Sequence, residues 1–291
     1  MTTRKRPSYT LNIDGQLLSL DTPLVMGILN ATQESFYEAS RTFSSEAIAL
    51  RVQEMLDEGA DIIDIGACST KPGATPVSEE EEMSRLDAAL HIVRKVAPNV
   101  ILSVDTFRAS VAERCVLEHG VQIINDVSGG VLDDRMFDTV ARLQVPYILT
   151  HSGYGKNGQN EINGFLSTSH PNLWQETMFS LAERIGQLHL MGVNDIIVDP
   201  GFGFGKSLDD NYNLMAHMEE LHALECPLLV GISRKSMIYK QLDCTPAEAL
   251  NGTTALHAVA LMKGAHILRV HDVKAAVETV KITQKLITHN S

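Results

Sequence analysis

No stretch of the 291 residues approaches the roughly 20 uninterrupted apolar positions a helix needs to span a bilayer, so no membrane-spanning helix is expected. The opening segment MTTRKRPSYTLNIDG is basic but has no apolar core of a secretion signal, so a cytoplasmic location is expected. Positive charge is in deficit: 24 Lys and Arg stand against 36 Asp and Glu, a formal net charge of −12. A protein that coats nucleic acid or an anionic membrane needs the opposite balance, so neither is an expected partner. Any anionic ligand must meet a local cluster of cations. Cysteine is scarce, and Cys68, Cys115, Cys226 and Cys244 lie far apart with no C-x-x-C pair, which argues against a zinc site or a disulfide framework. No internal repeat, low-complexity tract or Pro/Ser-rich linker divides the chain.

What is present is a recurring alternation. Short, nearly continuous apolar runs occur at 24–30, 61–66, 100–106, 121–127, 145–151, 195–201, 227–235 and 266–272, each followed by a stretch with helical spacing. Strands buried on both faces of a parallel sheet read this way. The helix candidates carry their own punctuation. Ser78 followed by Glu81 forms a capping box, Gly59 closes the helix before it, and Leu173, Trp174, Met178, Leu181, Ile185 and Leu188 share one face after Pro171. Eight such units predict an α/β fold: a single (β/α)8 barrel over residues 24–288, preceded by an N-terminal extension or short hairpin (1–23) around Asp14-Gly15. The connections after strands one, two and five, NATQESFYEASRTF, CSTKPGATPVS and SGYGKNGQNEINGFLSTSH, are longer than a barrel requires.

One motif invites a wrong turn. DPGFGFGKS, residues 199–207, looks like a phosphate-binding P-loop, but Gly201 leaves only three residues before the Gly205-Lys206 pair, where the pattern needs four. The first-glycine place falls on Pro200, which has no N–H to offer. In a barrel the carboxyl ends of the strands face the active site instead. Those ends carry Asn30, Asp64, Asp105, Asn125 with Asp126, His151, Asp199, Ser233 with Arg234 and Lys235, and Arg269 with His271 and Asp272. Any one of them taken singly is explained as a helix cap. Together they divide into carboxylates and amides on strands two, three, four and six and cations on strands seven and eight, as a ligand with a donor-rich heterocyclic end and an anionic end would require. Arg269 and His271, two apart, point the same way, and a helix start near Ser236 would add backbone donors. A metal-hydrolase centre built on His151, His271, Asp64, Asp105 and Asp199 is the weaker alternative, because strand one lacks an H-x-H pair. Oxygen-rich surroundings favour Mg²⁺ held by Asn30. Cys68, with no His beside it in sequence, is a plain loop residue and no nucleophile.

MGILN with T-x-x-S-F, SVDTF, IIND, DPGFGFGK, GISRKSM and RVHDVK, each at its strand and in this order, resemble the dihydropteroate synthases over about residues 24–285. The resemblance implies a (β/α)8 enzyme that joins 6-hydroxymethyl-7,8-dihydropterin pyrophosphate to p-aminobenzoate and releases pyrophosphate. It implies that Asp199 and Asn125 bond the pterin edge with Asp105 and Asp64 close by, that Lys235 reaches the ring oxygen and nitrogen, and that Arg269 stacks on the ring. Asn30 would contact Mg²⁺ and pyrophosphate, with Arg269, His271, Thr70 and Lys71 on the phosphate oxygens. Ser236 would take the carboxylate of p-aminobenzoate, walled by Phe36, Thr70, Pro72 and Phe204. The family's dissociative route and homodimeric state, here through the apolar stretch 246–262, are further expectations. The chain departs from the family pattern at Gln33, Glu34, Cys68 and Lys71, where lysine replaces an arginine able to grip phosphate with two bonds. A methyltetrahydrofolate-dependent methyltransferase barrel would share the Asp and Asn residues but has no need of Lys235, Arg269 and His271. A pterin-binding paralogue without turnover is the third possibility.

Overall fold

The structure, a computed structural model, describes residues 7–31, 41–68, 77–152 and 172–289. All eight apolar runs form strands: β3 (Leu24–Asn30), β4 (Ile62–Gly66), β5 (Ile101–Asp105), β6 (Ile123–Asp126), β7 (Tyr147–Thr150), β8 (Ile196–Asp199), β9 (Leu229–Val230) and β10 (Ile267–Val270). They pair in parallel in the order β8-β7-β6-β5-β4-β3-β10-β9. A parallel bridge between Val198 and Leu228, with Val198 N donating to Pro227 O at 2.9 Å, brings the two ends of that sheet together and makes it a barrel.

Helices fill the intervals: α1 (Arg41–Asp57), α2 (Glu79–Val96), α3 (Ala109–His119), α4 (Met136–Leu143), α5 (Leu173–Leu190), α6 (Leu208–Ala216), the short α7 (Ser236–Tyr239), α8 (Leu250–Met262) and α9 (Val273–His289), with a 3-10 turn at Met218–Leu224. The Ser78 hydroxyl caps α2 as expected, accepting from Glu81 N at 3.2 Å, but Glu81 turns its carboxylate to Arg85 at 2.8 Å, so only half of the expected box forms there. On α5 the expected face is the packed one: Leu173, Leu181, Ile185 and Leu188 are buried, and Trp174 and Met178 lie against the core. Among the described residues no helix is long and apolar enough to cross a membrane.

Before the barrel, β1 (Thr10–Ile13) and β2 (Gln16–Ser19) form an antiparallel hairpin. Asp14 and Gly15 at its tip both have positive φ, 51° and 82°, as a type I′ turn requires. Leu11, Ile13 and Leu20 of this unit pack with Leu24, Met26, Ile62, Ile123, Ile148, Ile197, Leu229 and Ile267, which line the amino-terminal end of the barrel. The hairpin is thus a plug in the barrel floor, and each fully buried leucine there contributes about 2 kcal/mol.

Candidate active site

Strand alternation places the polar set. Ile62, Ile123, Ile148, Ile197 and Ile267 fill the lower barrel, and side chains two residues further on share their face. Those residues are Asp64, Asn125, Thr150, Asp199 and Arg269. The fold therefore forces carboxylates, an amide and a guanidinium into one interior space above a floor of isoleucines.

They meet there as a network. Arg269 donates from Nε to Asp64 Oδ2 at 2.6 Å and from Nη2 to Asp105 Oδ2 at 2.6 Å, while Asn125 Nδ2 donates to the same Asp64 oxygen at 3.0 Å. The acidic and cationic groups, separable along the sequence, are thus interleaved in space. Burial works against the charge on Arg269, but Asp64 and Asp105 outweigh it and hold the guanidinium above its usual range. Burial raises the Asp105 carboxyl even though Arg269 opposes the shift. Asp64 Oδ1 is buried and has no hydrogen-bond partner, an acceptor aimed into the barrel that a ligand N–H would satisfy.

Asp199 completes this acidic rim at the end of β8. Its Oδ1 accepts from Gly201 N at 2.8 Å, which turns Oδ2 toward Gly231. A Cβ at position 231 would stand 3.6 Å from Asp199 Oδ2, 3.9 Å from Lys235 Nζ and 3.9 Å from Arg269 Cβ, so the glycine keeps open the space that these three groups surround. Burial raises the Asp199 carboxyl, with Lys235 pulling the other way, and lowers the Lys235 ammonium to about 8. Lys235 Nζ also donates to Phe202 O at 2.6 Å and lies 4.4 Å from the centre of the Phe204 ring, which places that aromatic face at the site.

The P-loop look-alike is a structural turn. Gly201 sits at φ 71°, where a Cβ would collide with the His151 carbonyl oxygen. Lys206 is folded inward and donates to the carbonyls of His151, Gly201 and Phe204 at 3.2, 2.8 and 3.2 Å. Burial pushes its ammonium down to about 7. Ser207 and Asp210 form the full capping box of α6, Ser207 Oγ donating to Asp210 Oδ2 at 2.6 Å and accepting from Asp210 N at 3.2 Å. Neither Lys206 nor Ser207 is left for a phosphate.

Two other strand-end residues, Asp126 and Arg234, are likewise consumed by the fold. Asp126 accepts from Ser128 N, Ser128 Oγ, Gly130 N and Tyr147 Oη. Arg234, at φ 56°, pairs with Asp272 through two bonds of 2.8 Å and reaches the carbonyls of Pro246 and Ala247. His151 is kept neutral by burial and by the nearby cations of Lys206 and Arg184. His271 contacts Ser233, its backbone N at 3.1 Å and ring Nδ1 at 3.0 Å from Oγ. Ser236 is the first residue of α7, a single turn capped by Lys235. Burial, reinforced by Glu82, pushes the Cys68 thiol up to about 12, which removes it as a nucleophile. Phe36, Thr70, Lys71 and Pro72 lie outside the described residues, as do Gln33 and Glu34.

Asn30 ends β3 with an exposed side chain whose amide oxygen is a hard donor at the mouth. That fits Mg²⁺, which takes few protein ligands and keeps water and phosphate oxygens. Among the described residues, the Asp, Glu, His and Cys side chains close enough to form a protein-only cage are Asp87, Glu118 and His119, on α2 and α3 outside the barrel. His151 and His271 do not converge with the carboxylates, and a hydrolase-type centre is not built here.

The family described as pterin binding enzyme matches residues 26–271. The dihydropteroate synthase of Bacillus subtilis (strain 168) is 38% identical over 264 residues, 91% of this chain and 88% of the relative. The structure of the Xanthomonas albilineans dihydropteroate synthase with 4-aminobenzoic acid superposes with a TM-score of 0.85 at 36% identity, covering 97% of this chain and 99% of the other. The same enzyme in complex with 7,8-dihydropteroate gives a TM-score of 0.80 at 34% identity, with coverage of 96% and 99%.

Proposed function

The chain belongs to the dihydropteroate synthase family of pterin-binding enzymes, which are transferases, and we propose from that premise that it joins 6-hydroxymethyl-7,8-dihydropterin pyrophosphate to p-aminobenzoate by a dissociative route. The carrying observation is the cluster of Arg269 between Asp64 and Asp105, open at Asp64 Oδ1 and bordered by Asp199 Oδ2 and Lys235. A flat heterocycle whose edge bears adjacent N–H donors satisfies these acceptors, with Asn125 as a further polar partner. Lys235 donates to the ring oxygen and nitrogen, and the planar Arg269 guanidinium lies against the ring face.

His271 and Arg269 take the pyrophosphate, with Lys71 and Thr70. Asn30 would hold Mg²⁺, which when bound supplies positive charge to the departing pyrophosphate. The bond from the exocyclic carbon to the pyrophosphate oxygen breaks first, and its electron pair leaves on that oxygen. The carboxylates under the ring favour the positive charge that then spreads over the dihydropterin. The amine of p-aminobenzoate, already a free base at neutral pH, attacks the carbon and passes its proton to the released pyrophosphate, so no triad is needed. Ser236 meets its carboxylate, and Phe204 walls it with Phe36 and Pro72. Methyl transfer from a folate gives Lys235 and His271 no task.

Incubation with both substrates and Mg²⁺ is expected to yield dihydropteroate and pyrophosphate in equal amounts; pterin binding without release would overturn the catalytic assignment. Single-turnover rates with a series of substituted anilines test the order of steps. A dissociative route gives rates that vary little with amine basicity, and a steep dependence would refute it. Two copies are proposed to associate through α8 and α9, where Val259, Met262, Ile282 and Leu286 are exposed.

A further inference from the structure

The ladder between β9 and β10 is short, pairing only Leu229 with Ile267 and Val230 with Leu268. Side chains continue it in the same register. Ser233 meets His271 and Arg234 meets Asp272, each pair separated by 38 residues in the chain, as the two backbone pairs are. The ends of the two strands are therefore tied by consecutive side-chain contacts, and Arg51 Nη2 holds the His271 carbonyl at 2.6 Å from the α1 side.

Within this tie, Ser233 Oγ makes two contacts with one residue. The His271 backbone N–H donates to it at 3.1 Å, and ring Nδ1 lies 3.0 Å away. A backbone N–H can only donate, so that bond uses an oxygen lone pair. The hydroxyl hydrogen remains, in a side chain only 4% exposed, and the ring nitrogen is the acceptor in reach. An Nδ1–H directed at the same oxygen would leave that buried hydrogen unsatisfied, at about 1–3 kcal/mol.

We propose that Ser233 is a positioning residue: its hydroxyl donates to Nδ1 and locks His271 as the tautomer with the proton on Nε2. The opposite edge of the ring then always presents an N–H donor, suited to a phosphoryl oxygen. The other tautomer would turn a lone pair toward the anion and repel it. The use of that donor for pyrophosphate rests on the function proposed above; the tautomer itself does not.

Long-range proton–nitrogen correlation spectra of the histidine-labelled protein test it, with the His271 signals identified by their loss in His271→Gln. Wild type is expected to show an unprotonated Nδ1 and a protonated Nε2, and Ser233→Ala a mixture of both tautomers. A protonated Nδ1 in wild type, which needs no variant to fold, would overturn the assignment, as would an unchanged spectrum in Ser233→Ala. Kinetically, Ser233→Ala should raise KM for the pterin pyrophosphate about five- to tenfold with a smaller change in kcat, the effect of one lost hydrogen bond, and Ser233→Thr should restore it. The expected spectra with an unchanged KM would uphold the tautomer and overturn the phosphate role given to His271.

Discussion

Asp199 and Asp126 each hold the last position of a strand, yet alternation turns them to opposite faces of the barrel wall and only Asp199 keeps an oxygen for a ligand. Asp126 spends both on four donors of its own loop, whereas Asp199 spends Oδ1 on Gly201 and keeps Oδ2 beside Lys235. Asp199→Asn should therefore weaken pterin binding by about 2 kcal/mol, the worth of a charge-assisted pair, measured by calorimetry with the pterin alone. An unchanged affinity would place the pterin edge elsewhere. Lys206 gives a pH signature of a different kind. Its ammonium falls from 10.5 to about 7 on folding, so between these values the unfolded chain binds the extra proton and stability rises with pH. Urea unfolding from pH 7 to 10 should show this rising component, at most about 1.4 kcal/mol per pH unit, and Lys206→Met should lose it. That Lys206 is a turn residue was hidden in the sequence, since its three carbonyl partners are defined only once β7 and β8 stand side by side.

At the scale of elements, the strands were legible because a strand buried on both faces must be apolar throughout, and each run here is. The hairpin was legible from Asp14-Gly15, a pair that tolerates two consecutive positive φ angles. Caps were legible in part. Ser78 is a cap without its reciprocal partner, while the complete box at Ser207 and Asp210 lay inside a motif that drew attention to phosphate. Ser207→Ala should lower unfolding free energy by about 1 kcal/mol in urea titration, as loss of an N-cap does, and leave pterin and Mg²⁺ affinities unchanged. Weakened Mg²⁺ binding would return that serine to the active site.

For the whole molecule, the net charge of −12 keeps the surface acidic while the cations that a doubly anionic substrate pair needs are gathered inside the barrel mouth. The outer surface carries a different feature, the exposed Val259, Met262, Ile282 and Leu286 on α8 and α9. Light scattering after size exclusion should report a dimer, and Ile282→Glu should shift it to monomer by burying a charge in the contact. A wild-type monomer at micromolar concentration would exclude that pairing.

The sequence alone determined the eight strands and their parallel arrangement in a barrel, because continuous apolar runs and chain connectivity are local or nearly local properties. It also placed Asp64, Asp105, Asn125, Asp199, Lys235, Arg269 and His271 at the strand ends as candidates. Only the tertiary structure decided how these candidates divide. Arg269 is shared between two carboxylates from other strands, Asp126 and Arg234 are absorbed by their own surroundings, and Ser233 becomes the partner of His271. Closing the barrel brings Asp64 and Arg269, 205 positions apart, within 2.6 Å, and hydrogen bonds depend on distances of a few tenths of an ångström that no pattern along the chain encodes.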